Sequence, residues 1–548
     1  MRPDGKPEKL RPAMSWLHTW SGLLPGWLLY AVFFTGTLSY FLDEINTWMK
    51  PETHASRAGP LMVENALAQL AHLAPGATSW NLTLPGERQT TVTASWPKPA
   101  TEGEEAPRGR GAFERVELDA GSGERIEPRD TRGAQFLYRF HFELHGIPRL
   151  WGRWIVGIAT LMMFVAILSG VITHKKIFAD FFTFRAGKGA RSWLDAHNAT
   201  AVLALPFHLM ITFSGLLLLM FMLMPWGLEA VYQGDTQAYA SERRALGGGG
   251  RGARGEASPS TGLVDEPRAL ADIAPMLALA RHHWPEQGVG AITVNAPGTA
   301  RATVEVREQG GQSLVDRGAS QRLLFDGVTG ALKSATATAA DIPVAVQTYN
   351  VLTAAHLGRL ANPPLRWLLF LSGVVGTAMI GTGLVLWVVK RQPERRKSGR
   401  TPLGHRLVEI LNVATVGGLS LATAGLFWLN RLLPAELAGR ADWEVRGFFI
   451  LWLGALLHAQ ARPHRRAWME QFCLAALLFA ALPVLNPLTG GAGLVSSLGH
   501  RQWPVAGFDL AAIVLALLHG AVAWHLWRKR GVFPVRNSAR ARAAEARA

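Results

Sequence analysis

The stretch from Trp154 to Thr173 constrains the chain most. It carries no charged residue and is long enough to cross a bilayer, for which about 20 apolar residues suffice. His145 stands just before it and His174 just after it. A continuous helix would hold those two imidazoles roughly 43 Å apart at 1.5 Å per residue, one at each membrane face. Ionisable side chains at such places are functional candidates.

Apolar residues make up 49% of the 548-residue chain and charged ones 18%, a balance that predicts several spans plus water-exposed domains. The net charge of +16 does not point to nucleic acid. Its Lys and Arg residues gather in short segments between apolar runs, among them Lys175, Lys176, Arg185 and Lys188, then Lys390 to Arg400, then Arg462 to Arg466, then Arg528 to Arg530. That is the pattern of cytoplasmic loops under the positive-inside rule. The single cysteine, Cys473, excludes an intrachain disulfide, a CxxCH attachment and an iron–sulfur cluster ligated by this chain alone. The mildly basic start (Arg2, Lys6, Lys9, Arg11) before the first span reads as an uncleaved signal anchor.

The expected order is a tail and first span (1–42), an exported α+β domain (43–140), a second span (141–174), a basic cytoplasmic loop (175–196) and a third span (197–226). A second exported domain (227–355), containing the glycine-rich tract Gly247 to Gly255, precedes a fourth span (356–390). A basic linker (391–404), a C-terminal four-span region (405–527) and a basic tail (528–548) follow. Strand-like alternation in SWNLTLPG, QTTVTASW and FERVELDAGSGERI marks the first exported domain. The fold class is a mostly α polytopic membrane protein: a tandem-repeat four-helix bundle, two exported α+β domains and a four-span extension. Eight spans are expected, with both termini cytoplasmic.

The repeat can be followed residue by residue. His18 precedes Gly36 by 18 positions and His197 precedes Gly215 by 18. Asp119 stands four before Gly123, and Asp326 four before Gly330. His145 precedes Arg153–Trp154 and Ser169–Gly170; His356 precedes Arg366–Trp367 and Thr382–Gly383, with two extra residues in the second copy. Both halves start on the same side, so an axis along the membrane normal relates them.

Imidazole is a common axial ligand of haem iron, and the repeat supplies histidines at two depths. His18 with His197 near the inner face and His145 with His356 near the outer face are the expected pairs, each holding one non-covalent haem b. His208 and His174 are alternates for the inner pair; His208 could also contact a propionate or relay a proton. His141, one helical turn before His145, is a further alternate ligand or a candidate substrate contact. His458 and His519 would serve a third haem, with polar packing as the plainer reading. Span glycines such as Gly36, Gly170, Gly373 and Gly376 would permit close helix approach or room for a flat macrocycle. No GxGxxG after a strand, Walker A lysine motif or HExxH occurs, so electrons would come from a quinol or a cytoplasmic reductase.

The first-span histidine with Thr-Gly, LHGIPRLWGRW…LSG, DAHN…PFH…SG and AHLGRL…GTG resemble the PepSY-associated transmembrane helix family. LDAGSG and FDGVTG are similar to the D-x-x-T-G turn of its exported PepSY segments, with Ser122 replacing threonine in the first copy. The segment HKKIFADFFTFRAGKGARSWLDAHN is close to members found with bacterial iron-uptake systems. The resemblance spans roughly 12–390 and leaves 404–527 uncovered. It implies a bacterial inner-membrane di-haem b protein with two periplasmic domains, of the ferric-siderophore reductase type. By matching position, His18, His145, His197 and His356 are its implied core haem ligands, and His174 and His208 its extra histidines. The expected activity is haem-dependent reduction of a ferric siderophore or another Fe(III) chelate in the periplasm, which weakens hard oxygen chelation of iron. Two other readings stand beside it: a non-redox scaffold whose PepSY domains bind peptides or restrain a protease, and a siderophore transporter.

Overall fold

The computed structural model describes residues 10–528 apart from 100–111, 175–177, 179–180, 182, 246–265, 312, 316–319, 337–341, 359–360 and 400. Arg2, Lys6, Lys9, Lys175, Lys176, the tract Gly247 to Gly255 and the tail beyond 528 lie outside the described residues.

Each half begins with a broken helix. In the first half α1 (Leu10–Leu23) is followed by α2 (Gly26–Leu38), with Pro25 at the break. In the second half α7 (Ala190–Leu203) and α8 (Leu205–Leu218) meet at a 69° bend ahead of Pro206. Proline removes a backbone donor and disfavours helical geometry in the residue before it. Both halves therefore bend at corresponding points. Each half closes with a short helix and a long one: α5 (Gly133–Glu143) and α6 (Arg149–Thr173), then α10 (Val344–Leu357) and α11 (Pro363–Ser398). On α6 the inward face is built from small or slender residues, Gly152, Ala159, Met163 and Ala166, while Leu150, Ile158, Leu161 and Leu168 point out. Such a helix packs closely on its neighbours and offers its large side chains to lipid. The halves interlock: α1 packs on α6 and α7 on α11 within a half, while α2 meets α11 and α6 meets α8 across halves.

The two segments expected to be exported form one sheet. Helix α3 (Leu42–Trp48) leads out of the bundle to α4 (Met62–Leu73), β1 (Ser79–Thr83), β2 (Val92–Pro97), β3 (Phe113–Leu118) and β4 (Arg125–Ile126). The second segment repeats this with α9 (Ile273–His283), β5 (Val289–Asn295), β6 (Thr303–Glu308), β7 (Arg322–Asp326) and β8 (Leu332–Thr336). All neighbouring strands are antiparallel, in the order β4-β3-β2-β1-β5-β6-β7-β8. The halves join where Trp80 pairs with Val294 and Leu82 with Ile292. All four side chains are buried, and a one-residue slip would turn them to the opposite face. Val63, Leu67 and Leu70 of α4 and Met276 and Leu277 of α9 belong to the same core. The two expected domains are thus two halves of one eight-stranded layer. In the β3–β4 turn Asp119 accepts from the N–H groups of Gly121 and Ser122, and in the β7–β8 turn Asp326 accepts from Val328 and Thr329. Gly123 and Gly330 then take positive φ of 79° and 77°, which a side chain would strain. Lys333, with those backbone donors, holds the Asp326 carboxyl well below the usual range.

The C-terminal region is not an appendage. Helix α12 (Leu403–Asn412), a π-helical segment (Val413–Gly417) and α13 (Gly418–Leu432) run as one rod whose apolar window is 83% buried, against 28–44% for the other long apolar helices. It sits between the repeat and the outer helices α14 (Arg440–Ala461), α15 (His464–Leu488) and α16 (Trp503–Arg528). At the sheet end the Trp48 indole donates to Asp509 (2.8 Å) and stacks on Phe508, and the Arg431 guanidinium lies 4.0 Å from the Trp48 ring. Arg440, fully buried, pairs with Glu444 and donates to the Asp130 carbonyl. Among the described residues six helices are long and apolar enough to cross a membrane, seven if the bent α7–α8 pair is one span. The expected eighth, α14, falls outside that set; Arg440, Asp442, Glu444 and Arg446 crowd its first two turns.

Candidate functional site

Two pairs of imidazoles meet inside the bundle, each taking one ring from each half. His18 (α1) and His197 (α7) have ring centroids 6.1 Å apart, at the end of the bundle away from the sheet. His141 (α5) and His356 (α10) have centroids 6.2 Å apart, at the sheet end. The expected partner of His356 was His145, and the structure corrects this. His145 lies beyond the end of α5, where Leu144 takes a φ of 59°, and its ring stacks on Phe449 and meets Phe136 edge-on. His141, expected as an alternate ligand or a substrate contact, occupies the paired position.

The four paired rings are held in one recurring way. Each lies against the glycine of a Ser-Gly or Thr-Gly step on another helix. A methyl group there would stand 3.0 Å from His18 at Gly170, 3.1 Å from His197 at Gly383, 2.5 Å from His141 at Gly36 and 3.3 Å from His356 at Gly215. The Nδ1 of His18, His141 and His197 bonds to the carbonyl four residues before its glycine: Ala166 at 2.8 Å, Val32 at 2.7 Å and Met379 at 2.9 Å. His356 Nδ1 bonds instead to Ser214 Oγ at 2.8 Å. That hydroxyl already donates to Met210, so it accepts here. In the other three steps the hydroxyl likewise bonds back one turn, from Thr35 to Ala31, Ser169 to Val165 and Thr382 to Ala378, and the ring takes the carbonyl instead. An acceptor at Nδ1 places the proton there and leaves Nε2 with its lone pair. Among the described residues no hydrogen bond to those four Nε2 atoms occurs.

This arrangement fits an axially ligated metal. A second-sphere acceptor on one ring nitrogen is the usual device that orients a ligating histidine. Two metal–nitrogen bonds of roughly 2 Å, plus the radius of two rings built from bonds of about 1.33 Å, separate ring centres by about 6 Å. Both measured separations match. No group of three or more His, Cys, Asp or Glu converges among the described residues, so a metal here must bring its remaining ligands with it, as haem does. The expected inner pair, His18 with His197, is the pair the structure assembles. His174 caps α6 at that same end, its N–H on the Gly170 carbonyl. His208 lies in neither pair; its neighbours are Phe33 and Phe207. His458 bonds Glu470 at 2.9 Å, while His519 bonds the Leu515 carbonyl and packs on Phe472 and Phe479, so these two do not form a third pair.

Sequence reasoning missed two things. The glycines were expected to allow close helix approach or room for a macrocycle, and the rings that lie against four of them were not foreseen. The carbonyl four residues before the glycine of a Ser/Thr-Gly dipeptide recurs at three of the four rings, but the dipeptide alone does not select the pairs, since Ser21–Gly22 and Ser372–Gly373 also lie in helices and hold no ring. A search of curated proteins returns no match to the chain. A family model described as the PepSY-associated TM region matches residues 15–390, which takes in both histidine pairs, all four glycine rests and the whole sheet. The chain belongs to the PepSY-associated transmembrane family.

Proposed function

We propose that the protein is a di-haem b electron conduit of the bacterial inner membrane, which reduces a ferric siderophore or another Fe(III) chelate in the periplasm. One observation carries the reading: two imidazole pairs at a ring separation of 6.1 and 6.2 Å, every Nδ1 engaged and no Nε2 in a hydrogen bond among the described residues. Haem, when bound, supplies reversible one-electron chemistry. The chain's own part is to fix the rings by the Ala166, Val32 and Met379 carbonyls and the Ser214 hydroxyl, and to bury them. Arg185, Lys188, Arg391, Arg406 and Arg462 cluster at the end away from the sheet, which supports a cytoplasmic assignment for that end and a periplasmic one for the sheet. In this orientation His18 and His197 serve the donor side, a quinol or a cytoplasmic reductase, and His141 and His356 the chelate side. The scaffold and transporter readings leave four matched rings without a task.

The test is a dithionite-reduced minus oxidised spectrum of detergent-purified protein with pyridine haemochrome quantification. Two b-type haems per chain are expected, falling to one in His18→Ala and in His141→Ala. Protein from haem-replete cells that carries none would refute the reading. Oxidation of the reduced protein by a ferric hydroxamate or catecholate, followed by stopped flow, tests the acceptor.

A further inference from the structure

The repeat is broken at one place, midway between the two histidine pairs. The spacing that equates His18 with His197 and Gly36 with Gly215 equates Leu29 with His208 and Phe33 with Thr212. The spacing that equates Gly170 with Gly383 equates Met163 with Gly376. The first half thus places Leu29, Phe33 and Met163 where the second places His208, Thr212 and Gly376. These three lie together. A methyl group on Gly376 would stand 3.1 Å from His208 Nε2 and 2.7 Å from Phe33, and Thr212 is one helical turn beyond His208. His208 is fully buried, and neither ring nitrogen has a hydrogen-bond partner; the Thr212 hydroxyl has none either. The Ala201 carbonyl acts on the ring electrostatically without a hydrogen bond of ordinary geometry. It belongs to the last turn of α7, whose carbonyls lose intrahelical partners at the bend.

Position gives this group its meaning. His208 is seven residues along α8 from the rest of His356, and Gly376 is seven residues along α11 from the rest of His197. Each step is about 10 Å of helix, so His208 lies in the gap an electron must cross. Buried polar groups left unpartnered are costly, and water is their ordinary partner where a polar site has room for it.

We propose that His208 and Thr212 form a hydrated proton-accepting site between the two haem positions, at which one proton is taken up when an electron enters the core. The inference rests on the di-haem reading. With haem bound, an electron from a quinol or reductase would add one negative charge to the core. One proton from bulk water binds neutral His208 through the water it holds, giving imidazolium, and the core keeps its net charge. When the electron leaves for the ferric chelate, the proton leaves too. Charge added to a low-dielectric interior is strongly opposed unless compensated. The elements packed around α8 offer no rival at this depth. They carry Arg191, His197 and Asp195 on α7, the last paired with Arg185 and Arg191; Tyr349 and His356 on α10; Arg149, Arg153 and the capping His174 at the ends of α6; Arg366 and the group from Lys390 to Lys397 towards the ends of α11; and Tyr30 on α2.

The experiment uses the full-length, haem-loaded protein and measures haem midpoint potentials from pH 5 to 9, with dye-detected proton uptake on reduction in weak buffer. The wild type is expected to show a potential that falls with pH, at most about 59 mV per tenfold change in proton activity, and measurable uptake. His208→Leu, the residue the first half already uses, and His208→Gln, which keeps a polar side chain, are expected to hold both haems and lose the slope and the uptake. An unchanged slope in both variants overturns the proposal. Loss of one haem from both variants makes His208 an axial ligand and overturns it as well. Wild-type protein without haem overturns the di-haem reading itself.

Discussion

Substituting alanine at the glycine rests separates a ring held in place from one merely nearby. In Gly36→Ala the new methyl would lie 2.5 Å from His141 Cε1 and 2.6 Å from Nδ1, whereas non-bonded carbons prefer about 3.5–4.0 Å. The ring must retreat by roughly 1 Å, which stretches the 2.7 Å bond to the Val32 carbonyl beyond useful length. Losing that bond in a buried place costs about 1–3 kcal/mol, and overpacking adds a similar amount. Against this, alanine gains about 1 kcal/mol over glycine in a helix. The net is a loss of roughly 2 kcal/mol at the outer pair, or about thirtyfold in affinity for whatever the pair ligates. Gly215→Ala is the control, because its methyl would stand 3.3 Å from His356 Cε1, so clash and helix gain nearly cancel. Haem per chain and thermal stability in detergent are the assays. Gly36→Ala should lose haem at one site and melt earlier, while Gly215→Ala stays near wild type. Equal behaviour of the two variants, or a greater loss in Gly215→Ala, would refute the account of how the rings are held.

Three further outcomes are expected. His145→Ala should retain both haems while His141→Ala keeps one, measured by pyridine haemochrome. His54, buried, donates from Nε2 to the Thr47 carbonyl and accepts at Nδ1 from the Ala492 N–H. Burial, with the nearby Arg431 charge, pushes its pKa down to about 4. The folded state therefore resists a proton that the unfolded chain accepts below about 6.5. Stability should be full above that pH, decline as pH falls towards 4 by at most about 3 kcal/mol, and then level off; His54→Gln should flatten this decline in thermal unfolding across pH. Arg88 binds Glu44 at 2.8 and 2.7 Å, Asp43 at 2.9 Å and the Tyr40 carbonyl at 3.1 Å, tying the β1–β2 hairpin to the bundle. Arg88→Ala should destabilise by roughly 2 kcal/mol and expose the sheet–bundle junction to protease sooner.

The bundle was legible because membrane spans and repeats leave strong marks: uncharged runs, histidines and glycines at matched spacing. The identity of the outer histidine was not, and the reason is visible in the numbers. His356 lies 27 residues before Gly383; His145 lies 25 and His141 lies 29 before Gly170. Spacing is neutral between them. What decides is that His141, like His356, sits inside a helix that reaches into the bundle, whereas His145 follows a left-handed Leu144 that turns the chain away. The joining of the two sheet-forming segments was hidden too, because β1 and β5 are far apart in sequence and strand alternation does not name a partner. The same holds for the C-terminal rod, whose apolar residues resemble those of a lipid-facing span although its neighbours are protein.

The interleaving of the two halves means that neither is sufficient alone. Every imidazole pair takes one ring from each, and the central sheet contact is an antiparallel pairing of equivalent strands. That is the geometry of a two-fold homodimer whose subunits have been written into one polypeptide. A chain severed in the loop between α6 and α7 should therefore reassemble when the two pieces are made together. Expressed singly, each piece would present an open strand edge and two solitary imidazoles. Fusion also frees the copies to diverge, and the C-terminal helices use that freedom: they bind the sheet-end residues of one half, Trp48 and Asp130, and give a symmetric core a single covered flank.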